Sequence, residues 1–149
     1  MKTPFHSVDY TERFAGREDP IVEVEVIVKG KAHKLPSYVD TGCDHALTIS
    51  KQTADRIGLE ESMRVTDQVH EVVLADGTMR GAYVYLLMLK IGGRNLEKIV
   101  SVTQPDIVLE SPLSPSFELD EPLVGRGILD HYNVTFEGKS TPKRITFAE

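Results

Sequence analysis

The segment from Tyr38 to Cys43 constrains the fold more than any other part of the sequence, because it places an acid directly after an apolar strand end. A carboxylate that follows Val39 is expected to be largely desolvated, so Asp40 needs polar partners. Gly42 lets the backbone turn sharply and allows a second chain or a substrate to approach closely. Asp, Thr and Gly are also common turn residues, so this segment taken alone predicts only a turn.

Three further motifs follow Asp40 in order along the chain. An apolar run at 46–49 comes first, Ala75-Asp76-Gly77 lies midway, and the sequence Leu-Val-Gly-Arg-Gly-Ile-Leu occupies 123–129. This ordered set resembles the retropepsin-like aspartic proteases over roughly residues 20–147. It is most similar to the small single-domain members of bacteria and archaea.

The resemblance implies an all-β fold, a retropepsin-like acid-protease half-barrel with a flap hairpin and one or two short helices. It also assigns roles to residues of this chain. Asp40 is the expected catalytic acid, and Asp44 is expected to form an ion pair with Arg126. The other implied residues are Thr41, Gly42, Cys43 and Gly125 as active-site support, and Ala75, Asp76, Gly77 and Thr78 as the substrate-binding flap.

The chemistry of such a site needs two carboxylates that share one proton. One carboxylate activates a water molecule, and the other, protonated, donates to the peptide carbonyl oxygen. The chain has one Asp-Thr-Gly and no Asp-Ser-Gly, so the second acid is another acid of this chain or Asp40 of a second chain. The resemblance favours a homodimer, with Thr41 reaching the partner backbone and Gly42 hydrogen-bonding the substrate. The predicted function is a homodimeric aspartic endopeptidase that needs no cofactor.

Two alternatives remain open at this stage. A retropepsin-like dimer can be catalytically silent and bind peptides or partner proteins through the same cleft. Cys43 beside His45 suggests a thiol protease or a metal site, to which His33, His70 and His131 are further candidates. Against this second alternative, one cysteine and scattered histidines lack a recognised ligand spacing, and a small buried hydrophobic residue is the ordinary role of such a cysteine. No metal ion is expected.

Composition narrows the other choices. The length of 149 residues suits one domain, which we expect at 20–149 after a possibly flexible N-terminal arm at 1–19. The net charge of −6 argues against nucleic acid or an anionic membrane as the partner, and favours a peptide or protein substrate. One cysteine fits a reducing compartment, and no apolar run is long enough to span a bilayer, so the expected location is the cytoplasm.

Hydrophobic alternation and turn residues predict the individual elements. The expected strands are 21–28, 31–35 with a bend at Pro36, 69–75 and 78–91 around an Asp76-Gly77 turn, and 96–102 after Gly92-Gly93. Ser50 is the expected N-cap of a helix that continues to Leu59. The segment 105–122, with four prolines, is expected to be a loop insertion. A short helix from Arg126 and a final hairpin of 133–136 with 144–147 complete the prediction.

Overall fold

The computed structural model describes residues 3–13, 16–73, 79–110, 121–139 and 142–149, and for 105–110 it describes the backbone alone. The strands and helices are β1 (Pro4–Asp9), β2 (Thr11–Glu12), β3 (Glu18–Asp19), β4 (Ile21–Val28), β5 (Lys31–Val39), β6 (Leu47–Ser50), α1 (Lys51–Arg56), β7 (His70–Val73), β8 (Met79–Ile91), β9 (Arg94–Glu110), β10 (Leu123–Val124), α2 (Arg126–Leu129), β11 (Asn133–Glu137) and β12 (Arg144–Ala148), with a 3-10 helix at Glu61–Met63.

The predicted all-β, retropepsin-like fold class is confirmed, because the described chain is mostly strand with two short α-helices. The larger sheet has the strand order β4-β5-β10-β6-β9-β8-β7, and β4 also pairs with β8, so the sheet curls on itself. A second sheet has the order β1-β12-β11, and β2 pairs with β3 in a small hairpin. No helix in the described ranges is long and apolar enough to cross a membrane.

The hairpin of β4 and β5 follows directly from the sequence pattern. Val22, Val24 and Val26 are fully buried, whereas the intervening Glu23 is exposed. The turn uses Lys29 and Gly30, both at positive φ, which suits a two-residue hairpin. Strand β5 is longer than the predicted 31–35, because it continues through Pro36 to Val39. Within the described residues, β4 is the strand that borders Pro36, since β10 pairs with the last two residues of β5, and a missing N–H is tolerated there.

Helix α1 begins as predicted and ends earlier than predicted. The Ser50 hydroxyl accepts a hydrogen bond from Thr53 N–H at 3.1 Å, which is an N-cap. The helix ends at Arg56, and Gly58 then takes φ +87°, where the chain leaves the helix. Ala54 and Leu59 are buried against the curved sheet.

Strand β9 is longer than the sequence indicated. The prediction of a loop at 105–122 is therefore wrong for residues 105–110, which belong to β9. Ala82 of β8 pairs with Thr103, whereas Arg80 pairs with Val108, so β9 bulges between these two points. Pro105 lies in the bulge, where a proline removes no ladder hydrogen bond. The remainder of the predicted loop, 111–120, lies outside the described residues.

The terminal sheet joins segments that are distant in sequence. Strand β1 pairs antiparallel with β12 along Ser7 to Asp9, and β12 pairs with β11. Ile145 and Phe147 are fully buried and pack on the same core as the larger sheet. The N-terminal segment therefore contributes an edge strand to this sheet.

Candidate active site

Asp40 stands at the end of β5, where three strands meet. Strand β10 lies between β5, to which it is parallel, and β6, to which it is antiparallel. Asp40 N–H donates to Val124 O at 2.9 Å, so the acid is fixed to β10 by its own backbone. The residue is 8% exposed, as expected for a carboxylate at a buried strand end.

The two residues before Asp40 are held from both sides. Tyr38 N–H donates to Pro122 O at 2.9 Å, and Val39 N–H donates to Pro20 O at 3.0 Å. Successive N–H groups of a strand point in opposite directions, so these two bonds lie on opposite edges of β5. The strand end that carries Asp40 is therefore rigidly placed.

The loop after Asp40 organises one of its two carboxylate oxygens. Oδ1 accepts from Gly42 N–H at 2.9 Å, and the Asp40 carbonyl accepts from Cys43 N–H at 3.2 Å. Oδ2 makes no hydrogen bond to any described part of the chain. Thr41 and Gly42 are exposed, so the loop presents its backbone at the surface. One oxygen is thus held by the loop, and the other is available for a proton or a water molecule.

Two glycines allow the chain after β10 to pack directly on this loop. Gly125 N–H donates to Ala46 O at 2.9 Å, and a Cβ atom on Gly125 would lie 2.1 Å from His45 O. A Cβ atom on Gly127 would lie 2.7 Å from the backbone nitrogen of Ala46. Any side chain at these two positions would separate the two segments. Gly127 was missed as a support residue, although the Gly-x-Gly spacing at 125–127 indicates such a close approach.

The predicted ion pair between Asp44 and Arg126 is wrong. Asp44 Oδ1 instead accepts from Val73 N–H at 3.4 Å and lies 3.8 Å from His45 Nε2. Arg126 is exposed; its backbone N–H donates to Cys43 O at 2.9 Å, and its side chain lines a pocket with Thr41. The two side chains leave the loop on different sides, Asp44 toward β7 and Arg126 toward β11.

The pocket beside Thr41 has a volume of ≈ 570 Å³. Helix α2 and strand β11 form its walls, and Phe136, at the edge of this pocket, is 42% exposed. A single exposed aromatic side chain is ordinary on a protein surface, so Phe136 is of interest only for its position at this pocket. The pocket adjoins the loop that carries Asp40.

Comparison with known proteins bears on the fold of this chain. A crystal structure of a retropepsin-like aspartic protease from Rickettsia conorii matches with a TM-score of 0.56 and 15% sequence identity, covering 97% of this chain and 94% of that chain. The chain has a retropepsin-like fold. No protein-family model and no curated protein matches the sequence.

Within the retropepsin-like fold, the predicted flap is only partly described. Strands β7 and β8 are antiparallel, and their pairing runs from His70 opposite Ala82 to Val73 opposite Met79. Ala75, Asp76, Gly77 and Thr78 fall between these strands and lie outside the described residues. Their role stays a prediction.

Cys43 is buried beneath the loop, in a small cluster with Val72, Ala82 and Leu123. It has no exposed surface, and this burial, followed by smaller contributions that include the nearby Asp40 and Asp44 carboxylates, raises the pKa of its thiol. The ring nitrogens of the neighbouring His45 contact groups other than the Cys43 thiol. A neutral, enclosed thiol is a poor nucleophile, so the geometry disfavours the thiol-protease alternative. The described residues also contain no group of three or more His, Cys, Asp or Glu side chains that could hold a metal ion.

We expect Cys43 to react slowly with iodoacetamide in the folded protein. At about pH 8, alkylation should be at least roughly 100-fold slower than in guanidinium chloride, because the thiol has no exposed surface and reacts only after local opening. The raised pKa acts in the same direction, since it lowers the thiolate fraction below that of the unfolded chain. Mass spectrometry of the modified peptide over time measures both rates. Equal rates in the two conditions would contradict the buried placement.

An ionic cluster behind the acid was not predicted. Arg13 donates to both carboxylate oxygens of Glu121, at 2.9 and 2.8 Å, and lies 3.4 Å from Asp19. Asp19 and Glu121 directly precede Pro20 and Pro122, whose carbonyl groups hold the end of β5. Arg13 therefore joins the two segments that bracket the strand of Asp40. The sequence offers no local signal for a contact between residues 13 and 121.

Proposed function

We propose that this chain is an aspartic endopeptidase that acts as a homodimer, with one Asp40 from each chain. The observation that carries the proposal is the state of Asp40. It is 8% exposed at a rigidly held strand end, and one carboxylate oxygen is bound by Gly42 N–H at 2.9 Å while the other is not bonded within the described chain. The retropepsin-like fold supports the same assignment at the level of architecture.

The proposed reaction is the hydrolysis of a peptide bond by water. The ionised carboxylate takes a proton from the water, whose oxygen attacks the carbonyl carbon. The protonated carboxylate gives its proton to the carbonyl oxygen, and a tetrahedral intermediate forms. When the C–N bond breaks, the amine leaves with a proton from the dyad. One hydroxyl group of the intermediate gives its proton back to the pair as it becomes the carbonyl of the carboxylic acid product, so the site is restored without a cofactor or metal ion.

The second acid of the pair would be Asp40 of a partner chain, because the chain itself supplies one Asp-Thr-Gly. The exposed Thr41 and Gly42, together with the pocket beside Thr41 and the exposed Phe136, form a continuous surface next to Asp40. In a two-fold dimer the same surface serves both partners, so a projecting ring and an adjacent pocket on one face are suited to each other. Two copies that meet at this surface would bring their Asp40 loops together. The expected substrate is an extended peptide or protein segment.

The test combines cleavage, inhibition and assembly. We expect the purified protein to cleave casein at roughly pH 4 to 6 and to be inhibited by a pepstatin-type compound. Phe136→Ser should lower the dimer fraction in sedimentation and the activity in parallel, whereas Thr135→Ser, an exposed control on the same strand, should change neither. Full activity in a wild-type monomer would overturn the shared-dyad proposal. Peptide binding without any cleavage would instead favour the catalytically silent, peptide-binding dimer.

A further inference from the structure

Strand β7 has a free edge that faces the loop of Asp40. Within the part of the chain that the structure describes, the strand pairs with β8 on one side only and ends the larger sheet. Along its other side, Glu71 presents a carbonyl oxygen and Val73 presents an N–H group. Residues two apart in a strand direct these groups the same way, so an unpaired edge would leave both without strand partners.

Two side chains of the Asp40 loop take the place of a neighbouring strand. His45 Nε2 lies 3.0 Å from Glu71 O, and Asp44 Oδ1 lies 3.4 Å from the nitrogen of Val73. One side chain donates and the other accepts, which is what an added antiparallel strand would do at these positions. The histidine bond is the shorter of the two and, at this length, the stronger. We call these two bonds the edge contact.

The His45 ring is fixed at both of its nitrogen atoms. Its Nδ1 contacts Ser101 Oγ, and Ser101 lies on β9 with no exposed surface. Because the Glu71 carbonyl can only accept, Nε2 carries the hydrogen, and in the neutral ring Nδ1 accepts from the Ser101 hydroxyl. The side chain is 19% exposed. His45 therefore joins the Asp40 loop, β7 and β9 through one ring of defined orientation.

The rest of the loop cannot move to compensate for a change in this contact. Hydrogen bonds from Gly125 N–H to Ala46 O and from Arg126 N–H to Cys43 O, both 2.9 Å, hold its backbone on either side of Asp44 and His45. A displacement of β7 relative to the loop must therefore break the edge contact itself. The separation between β7 and the segment that follows Asp40 is set at this point.

We propose that Asp44 and His45 fasten β7 to the Asp40 loop and so hold this strand in place for peptide binding. The two side chains act as positioning residues, since neither is assigned a bond to the reacting atoms. The fastening stands on the contacts alone, whereas its effect on peptide binding rests on the proposed protease function. A strand that is already held in place does not have to be ordered when an extended peptide binds, so loss of the edge contact should weaken peptide binding more than it slows the chemical step.

Amide exchange measured by NMR tests the fastening without reference to activity. In His45→Ala and in Asp44→Ala, the Val73 amide should exchange about tenfold faster than in the wild type, because its acceptor is removed or displaced. His45→Gln retains a donor that can reach Glu71 O, and Asp44→Asn retains the acceptor oxygen, so both should restore slow exchange. His33→Ala, on β5 and outside these contacts, is the matched control and should exchange as the wild type does.

Steady-state kinetics test the consequence. His45→Ala should raise KM for a peptide substrate about fivefold or more with kcat within about twofold of the wild type, and His45→Gln should restore KM. Exchange at the wild-type rate at Val73 in both alanine variants would overturn the fastening. If His45→Ala does not fold, the comparison of Asp44→Ala with Asp44→Asn decides the matter, because Asp44 is exposed. An unchanged KM alongside fast exchange would overturn the role in peptide binding. If the wild type cleaves no peptide, the protease function fails, and the exchange rates still decide whether β7 is fastened.

Discussion

Replacing Asp40 by Asn should abolish peptide hydrolysis and leave the fold intact. We expect the rate to fall at least roughly 1000-fold, because an amide can neither take a proton from water nor give one to the carbonyl oxygen. Asn keeps an oxygen that can accept from Gly42 N–H, so the loop retains its hydrogen bond. Initial rates of peptide cleavage measure the effect, and the melting temperature reports on the fold.

Asp55→Asn is the matched control, because Asp55 lies exposed on α1 and its carboxylate pairs with Lys51, at 3.2 Å. It should keep full activity. Mixing equal amounts of wild-type and Asp40→Asn chains, with free exchange, leaves roughly a quarter of the dimers with two acids, and activity should fall to about that fraction of an equal total amount of wild-type protein. Activity near one half would show that each chain works alone. Cleavage by Asp40→Asn itself would show that another acid performs the chemistry.

Gly125→Ala should have the largest effect on stability of any single methyl addition near the site. The new Cβ would lie 2.1 Å from His45 O and 2.7 Å from Cys43 O, and both are backbone atoms that cannot rotate away. We expect the free energy of unfolding to fall by about 3 kcal/mol or more, which corresponds to a loss of roughly 10 °C in Tm. Activity should fall as well, because the loop that holds Asp40 must shift.

Gly138→Ala provides the control for this substitution. Gly138 has no atom within 4 Å of an added Cβ and no positive φ, so alanine should be neutral or slightly stabilising there. Thermal unfolding of both variants by circular dichroism gives the comparison. If Gly125→Ala unfolds within a degree or two of Gly138→Ala, the segment after β10 does not pack on the Asp40 loop as described.

The elements that the sequence predicts well are those set by local physical chemistry. The valine alternation of β4, the Ser50 cap of α1 and the glycine turn at 92–93 each depend on neighbours within a few residues. The end of β9 was not predictable in this way. Pro105 is normally a strand breaker, and only the register of the partner strand β8 shows that a bulge accommodates it.

The same distinction applies to the candidate site. The placement of Asp40 at a strand end and the close approach of Gly125 are readable from the order of residues. The partners of Asp44 are not, because its contact with β7 depends on how two distant segments pack, and the expected arginine lies on the other side of the loop. Arg13 and Glu121 illustrate the limit, since 108 residues separate them.

The position of β10 between β5 and β6 also has a consequence for biosynthesis. Asp40 N–H takes its hydrogen-bond partner from Val124, about 80 residues later in the chain. At about 5–20 residues per second, a ribosome needs roughly 4–16 seconds to add that stretch. During this interval the nascent chain carries its acid in a segment that lacks its native support, so the site is assembled only when synthesis has passed β10.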